Sequence, residues 1–124
     1  MKILIVDDEP NIVLPLEFLM RKQGHEVQVA LDGDEALDAI GAFAPDLVLL
    51  DVMLPRRSGY EICQTLREEP AWRHIKIVLL TAKGRDVEVA KGMAVGADDY
   101  VTKPFSTHEL VERVERLLGD REGP

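Results

Sequence analysis

Short apolar runs alternate with longer segments of helical periodicity along the whole chain, and this alternation constrains the fold more than any other feature. The apolar runs Lys2–Val6, Leu47–Leu50 and Ile77–Leu80 predict buried strands. Glu26–Ala30 predicts a less buried or edge strand, and Asp99–Val101 predicts a fifth strand. Strands that alternate with helices predict a parallel sheet covered on both faces. We therefore predict an α/β fold built from five βα units.

The segments that follow the predicted strands place apolar residues on one face of a helix, the face that packs against a core. The faces consist of Ile12, Leu16, Leu19 and Met20; Ala36, Leu37 and Ile40; Gly59, Ile62, Cys63 and Leu66; Val87, Ala90, Met93 and Ala94; and Leu110, Val111, Val114, Leu117 and Leu118. Pro15 lies inside the first pattern, where it removes a backbone donor and clashes with the preceding turn. We therefore expect a kink in the first helix.

Length, charge and cysteine content narrow the class of protein. The 124 residues predict one domain, which we place at residues 1–119, with residues 120–124 as a frayed tail or the start of a linker. The net charge of −8 argues against direct nucleic-acid binding, because such domains usually carry a basic patch. No apolar run approaches the roughly 20 residues of a membrane span, and the N-terminus lacks a signal-peptide pattern. We expect a cytoplasmic protein without a membrane partner, and the single Cys63 predicts a core residue.

Polar residues follow the central strands at the point where each strand ends. Asp7 and Asp8 come after the first strand, Asp51 after the third, Thr81 after the fourth and Lys103 after the fifth. The functional crevice of an open parallel sheet lies beyond the carboxyl ends of its strands. These side chains are therefore expected to converge at one edge of the sheet.

The three aspartates predict a cation site. The repulsion between two like charges about 4 Å apart costs about 4 kcal/mol at an effective dielectric constant of about 20, so such a cluster needs a counter-charge. Carboxylates, carbonyls and water are the ligands that suit Mg²⁺. The alternative is that Asp7 and Asp8 cap the first helix, because acids stabilise a helix N-terminus; one acid would suffice for that.

Asp51 directly follows the buried run Leu47–Leu50, so its carboxylate is held rigidly and partly desolvated, which suits a nucleophile. The alternative is an ordinary acid in the turn that ends a strand. Lys103 could pair with Asp51 or contact a phosphoryl oxygen, and Thr81 offers a hydroxyl to such an oxygen. Taken singly, they would be a surface lysine and an ordinary threonine.

Together these residues resemble the receiver domain of response regulators in two-component signalling. The resemblance extends from Lys2 to about Leu118, and the part from Thr81 to Leu117 is most similar to receivers of winged-helix transcription factors. The segments that carry it are Ile3–Glu9, Pro45–Pro55, Ser58–Glu61, Ile77–Ala82 and Gly96–Phe105. It implies a flavodoxin-like three-layer sandwich with a doubly wound sheet of strand order 2-1-3-4-5, and a cis peptide bond between Lys103 and Pro104.

The resemblance also implies roles for the residues at the strand ends. Asp51 would accept a phosphoryl group from a sensor histidine kinase, and Lys103 would contact that group. Asp8 and Asp51 would ligate Mg²⁺ with the carbonyl of Met53, whereas Asp7 would reach the metal through water. The domain would catalyse its own phosphoryl transfer and slow autodephosphorylation, without turning over small molecules.

Thr81 and Tyr100 would form the switch pair, with Thr81 moving toward the phosphate and Tyr100 turning inward. An attached output domain or a separate effector protein would respond to that change. A phosphorylation-linked homodimer is implied as well, since three charged residues match positions in the dimer interface of related receivers, and an exposed Val89 stands where those proteins often have a basic residue. The charged residues are Asp99, Glu109 and Arg113.

Three other interpretations fit the sequence less well. Mg²⁺-dependent phosphohydrolases with an aspartyl-phosphate intermediate place the nucleophile after the first strand and a second acid two residues later, where Glu9 is a poor candidate and no cap-domain insertion occurs. A degenerate receiver that binds partners without phosphorylation usually lacks one of the acids or the lysine. A flavodoxin-like nucleotide-binding module would need a glycine-rich phosphate loop after the first strand.

Overall fold

The computed structural model describes residues 1–82, 84 and 86–121, and in this part of the chain five strands alternate with five α-helices. The strands are β1 (Lys2–Val6), β2 (Glu26–Ala30), β3 (Leu47–Asp51), β4 (Lys76–Ala82) and β5 (Asp99–Lys103). The α-helices are α1 (Pro10–Lys22), α2 (Gly33–Phe43), α3 (Gly59–Glu68), α4 (Asp86–Ala94) and α5 (Thr107–Arg121), and a 3₁₀ helix spans Pro70–Trp72. All five predicted strands are present.

The strands form one parallel sheet in the order β2-β1-β3-β4-β5, so the doubly wound fold and its predicted strand order are confirmed. The register pairs Ile5 of β1 with Leu49 of β3, and Asp51 of β3 with Leu80 of β4. The central strands consist almost entirely of buried apolar residues. Because successive strand residues point to opposite faces, both faces of the sheet are apolar there. The carboxyl ends of β1, β3, β4 and β5 consequently lie side by side.

Two hydrophobic cores, one on each face of the sheet, make the three layers. One core joins Ile3 and Ile5 to apolar residues of α1 and α5. The other joins Leu4 and Val6 to apolar residues of α2 and α3. Cys63 lies in the second core, as predicted, and burial raises the pKa of its thiol to about 12, which keeps the thiol protonated and unreactive.

α4 packs differently from the prediction. The face expected to be buried is exposed, with Val87 and Met93 66% and 38% accessible, respectively. Gly92 is buried instead, directly against the side chain of Leu79, where a Cβ atom would collide with that leucine. The prediction was wrong because helical periodicity is recognised from apolar side chains, whereas α4 contacts the sheet through Gly92, which has no side chain.

The helix ends refine two further expectations. α1 starts at Pro10 and continues through Pro15, so the second proline does not end the helix. α5 extends to Arg121, so the boundary predicted at residue 119 falls inside this helix, and residues 122–124 of the predicted tail lie outside the described residues. In the part of the chain that is described, no helix is long and apolar enough to cross a membrane.

Candidate functional site

The predicted convergence at the carboxyl edge of the sheet occurs. Asp7, at the end of β1, is fully buried, and Asp51 and Thr81, at the ends of β3 and β4, are 6% and 3% exposed. Lys103 ends β5 and reaches across to the two aspartates. Asp51, Thr81 and Lys103 border a cleft of about 150 Å³, and Asp7 lies behind them in contact with Lys103. The lining of the cleft consists of Glu9, Asp51, Val52, Met53, Thr81, Ala82 and Lys103.

The three aspartates form the expected acidic cluster. Asp7, Asp8 and Asp51 each offer a carboxylate oxygen, and these oxygens lie within 4.8 Å of one another. Asp8 is exposed, whereas the other two are buried. A donor set made only of oxygen, open to solvent on one side, fits Mg²⁺, which commonly keeps several water ligands.

The alternative role as helix caps receives no support. In the described structure, the N-cap residue of α1 is Glu9, and its side chain makes no capping hydrogen bond. Asp7 accepts a hydrogen bond from the backbone N–H of Glu9 at 2.9 Å, which fixes the carboxylate, and Glu9 precedes the first helical residue, Pro10. Asp7 therefore belongs to the acidic cluster, where it pairs with Lys103, and does not cap the helix.

Lys103 supplies a positive charge to the acidic cluster. Its Nζ donates to Asp7 Oδ2 at 2.9 Å, to Glu9 Oε1 at 3.3 Å and to Asp51 Oδ2 at 3.4 Å. Burial alone would lower the pKa of Lys103, but the hydrogen bond with Asp7 and the charges of Asp51, Asp7 and Glu9 raise it overall. The lysine stays charged, yet among the residues that the structure describes here one positive charge faces four carboxylates, counting Asp8.

Among the residues that line the cleft, Asp51 has a strongly shifted pKa. Burial, followed by the charge of Asp7, raises the pKa of Asp51 from 3.8 to about 6, although Lys103 and the Met53 amide oppose the shift. The Met53 N–H donates to Asp51 Oδ1 at 3.1 Å, so one carboxylate oxygen faces the β3–α3 loop and the other faces Lys103. The cleft thus disfavours the negative charge that it contains, which is the condition that a bound cation relieves.

Thr81 and Tyr100 occupy different environments. The Thr81 hydroxyl is buried and donates to the carbonyl of Ala82 at 3.3 Å. The Tyr100 side chain is 43% exposed, so it points outward in this structure. Its backbone carbonyl accepts a hydrogen bond from Arg113 at 3.0 Å.

The charged residues predicted to form a dimer interface pair with each other within the chain. Asp99 accepts hydrogen bonds from Arg113 at 2.6 Å and from Arg116 at 3.1 Å. Glu109 lies 3.6 Å from Arg113. Val89 is partly buried where an exposed valine was expected.

Sequence reasoning missed two participants of these clusters. Glu9 was overlooked as a partner of Lys103, although it completes a run of three acids after β1. Arg116 was overlooked as the second partner of Asp99, although it lies three residues after Arg113 on the same helix and so shares its face.

Comparison with known proteins decides the family. The protein-family model of the response regulator receiver domain matches residues 3–115 of the sequence. The chain belongs to the receiver domain family. Receiver domains are modules of two-component signalling that interact with histidine kinases and output domains, and they are not small-molecule enzymes.

Solved structures resemble this receiver domain over nearly its whole length. A protein from Chloroflexus aurantiacus J-10-fl described as a response regulator is 40% identical, with 94% of this chain and 96% of that chain covered and a TM-score of 0.90. The BeF3-activated receiver domain of DrrB is 42% identical, with coverages of 94% and 96% and a TM-score of 0.84.

NtrX from Brucella abortus is a longer relative. It is 31% identical with a TM-score of 0.90, and the match covers 98% of this receiver domain but 27% of the NtrX chain. In NtrX the receiver fold is therefore a minor part of a longer chain.

Proposed function

We propose that this receiver domain accepts a phosphoryl group on Asp51 from a sensor histidine kinase, in the presence of Mg²⁺, and thereby switches the surface formed by α4, β5 and α5. The observation that carries the proposal is the buried Asp51 carboxylate, grouped with Asp7 and Asp8 within 4.8 Å and contacted by Lys103 at 3.4 Å. A nucleophile, a cation site and a fixed positive charge thus share one cleft.

The transfer uses the ionised form of Asp51. A carboxylate oxygen attacks phosphorus, the P–N bond to the kinase histidine breaks, and its electron pair stays on the imidazole nitrogen. With a pKa of about 6, most Asp51 is ionised at neutral pH before any cation binds. Lys103 lies close enough to contact the transferred group and to compensate its charge.

Mg²⁺, when bound, would neutralise the carboxylates and the phosphoryl oxygens in this cleft. Asp8, Asp51 and the Met53 carbonyl would hold it directly, and Asp7 would contact it through water. The oxygen-only donor set supports this assignment.

The switch starts from a weak bond. Thr81 donates to the Ala82 carbonyl at 3.3 Å, which is longer than the usual O–H···O distance of about 2.5–3.0 Å, so a phosphoryl oxygen is a better acceptor. As Thr81 moves toward the phosphate, Tyr100 turns inward from its exposed position. The outer surface of α4, β5 and α5 then changes for an attached output domain or a separate effector protein.

The relatives support the proposal in two respects. The DrrB structure is described as BeF3-activated, which names a ligand that mimics a phosphoryl group. The match to a small part of NtrX supports an attached output domain for receivers of this kind. The net charge of −8 continues to argue against direct nucleic-acid binding by these residues, and we place the domain in the cytoplasm.

Phosphorylation by acetyl phosphate tests the proposal. The domain is incubated with acetyl phosphate and Mg²⁺, and intact mass spectrometry counts the phosphoryl groups; we expect one. Asp51→Asn should abolish the addition, whereas the control Asp38→Asn, at an exposed position of α2, should not affect it. Comparable phosphorylation of Asp51→Asn, or an unchanged rate in excess EDTA, would contradict the proposal.

A further inference from the structure

The β3–α3 loop, residues 52–58, contains the carbonyl of Met53 that the proposed magnesium site requires. Hydrogen bonds to the sheet and to α3 fix the inner end of the loop. The Val52 N–H donates to the Leu80 carbonyl at 3.1 Å, and the Gly59 N–H donates to the Val52 carbonyl at 2.8 Å. Neither bond reaches the outer part of the loop, residues 55–57.

The N-terminus of α2 contacts that outer part. The Gly33 N–H donates to the carbonyl of Pro55 at 3.2 Å. Arg57 Nε donates to Asp34 Oδ1 at 2.8 Å, and Arg56 Nε lies 3.6 Å from Asp32 Oδ2. One backbone hydrogen bond and two ion pairs therefore join the loop to the first turn of a helix that is itself anchored in the core.

Gly33 makes this approach possible. It is buried, and a Cβ atom at this position would lie 2.5 Å from Arg57 Cβ and 3.2 Å from Arg57 Cα. Those atoms cannot rotate away as the end of a flexible side chain can, so any larger residue would displace the main chain of the loop. The contact consequently requires glycine at position 33.

We propose that Gly33 and Asp34 are positioning residues for the metal site: they hold the β3–α3 loop so that the Met53 carbonyl keeps the direction that Mg²⁺ binding needs. The inference rests on the proposed function. The direction of a carbonyl follows the rotation of its own peptide plane, and residues 55–57 lie two to four residues from Met53. Since Mg²⁺ demands nearly ideal octahedral geometry, with ligands at about 2.0–2.1 Å, a small rotation lowers affinity.

Gly33→Ala and a matched control test the proposal. Gly41→Ala lies in the same helix, and a Cβ atom there has no neighbour within 4 Å. Mg²⁺ alone is titrated into the unphosphorylated domain, and backbone amide chemical shifts around the cleft give the half-saturating concentration. We expect Gly33→Ala to raise it about ten-fold, the lower end of what loss of a ligand-orienting group costs. Gly41→Ala should match the unchanged domain.

Two further measurements separate positioning from general stability. Urea unfolding reports stability, and the rate with acetyl phosphate is measured across Mg²⁺ concentrations. A positioning defect raises the half-saturating Mg²⁺ concentration, but at saturating Mg²⁺ the phosphorylation rate returns to that of the unchanged domain. Arg57→Ala removes the partner of Asp34 without adding an atom. It should raise the half-saturating Mg²⁺ concentration about two-fold. If Gly33→Ala does not fold, the result for Arg57→Ala tests the proposal.

The outcomes distinguish the two proposals. Failure of the unchanged domain to bind Mg²⁺ would overturn the proposed function, and this inference with it. Normal binding by the unchanged domain, with half-saturation unmoved in Arg57→Ala and in folded Gly33→Ala, would overturn the inference alone.

Discussion

Removing the charge of Asp51 is expected to stabilise the fold, although Asp51 is the residue on which the proposed chemistry depends. The pKa of Asp51 is about 6 in the folded protein, against 3.8 for an ordinary aspartate. The folded state therefore binds a proton more tightly than the unfolded state does. Below about pH 4 both states are protonated, and between about pH 4 and 6 ionisation progressively destabilises the fold.

The magnitude follows from that difference. At about 1.36 kcal/mol per pH unit, the interval between 3.8 and about 6 corresponds to about 3 kcal/mol. The cleft is open on one side, and solvent screening reduces the effect to about 2 kcal/mol. The Asp51→Asn protein should accordingly be about 2 kcal/mol more stable than the unchanged domain above pH 6, with Lys103 still bound to Asp7.

Urea unfolding in EDTA at several pH values between 4 and 8 measures this effect. The advantage of Asp51→Asn should be complete above about pH 6 and should shrink as the pH falls toward 4. The exposed control Asp38→Asn should show no such dependence. Equal stability of Asp51→Asn and the unchanged domain at pH 7, or an advantage that grows as the pH falls, would refute the electrostatic reasoning.

Three further predictions concern the cleft and the output surface. Lys103→Ala leaves the fully buried Asp7 without its 2.9 Å partner, so urea unfolding should show a loss of about 3 kcal/mol; a loss below about 0.5 kcal/mol would argue against the pairing. Phosphorylation should shift amide resonances throughout Val87–Val101, and shifts confined to the cleft would contradict the switch. We expect a monomer that dimerises weakly with beryllofluoride through the α4–β5–α5 face, because Arg113 and Asp99 already pair within the chain. Sedimentation should show that Arg113→Glu weakens this dimer. A tight dimer of the unphosphorylated domain would count against this surface.

The extent of the sequence prediction is clearest at the ends of the strands. The apolar runs predicted the strands, and parallel connections bring their carboxyl ends to one edge whatever the helices do. The meeting of Asp7, Asp51, Thr81 and Lys103 could therefore be predicted from chain order. Strand order and the cis bond at Lys103-Pro104 came from the family resemblance, and the structure contains both.

Tertiary structure decided what depends on distances between separate segments. Periodicity placed the wrong face of α4 toward the sheet, because the close approach of Gly92 to Leu79 involves no side chain on the helix. The contact of Gly33 with Arg57 joins residues 24 positions apart, and no local pattern reports the space between them. The sequence by itself determined which chemical groups reach the edge of the sheet, since chain direction and alternation are local properties. Their hydrogen bonds, burial and pKa values arose only when the helices packed around them, because each depends on atoms brought together from distant parts of the chain.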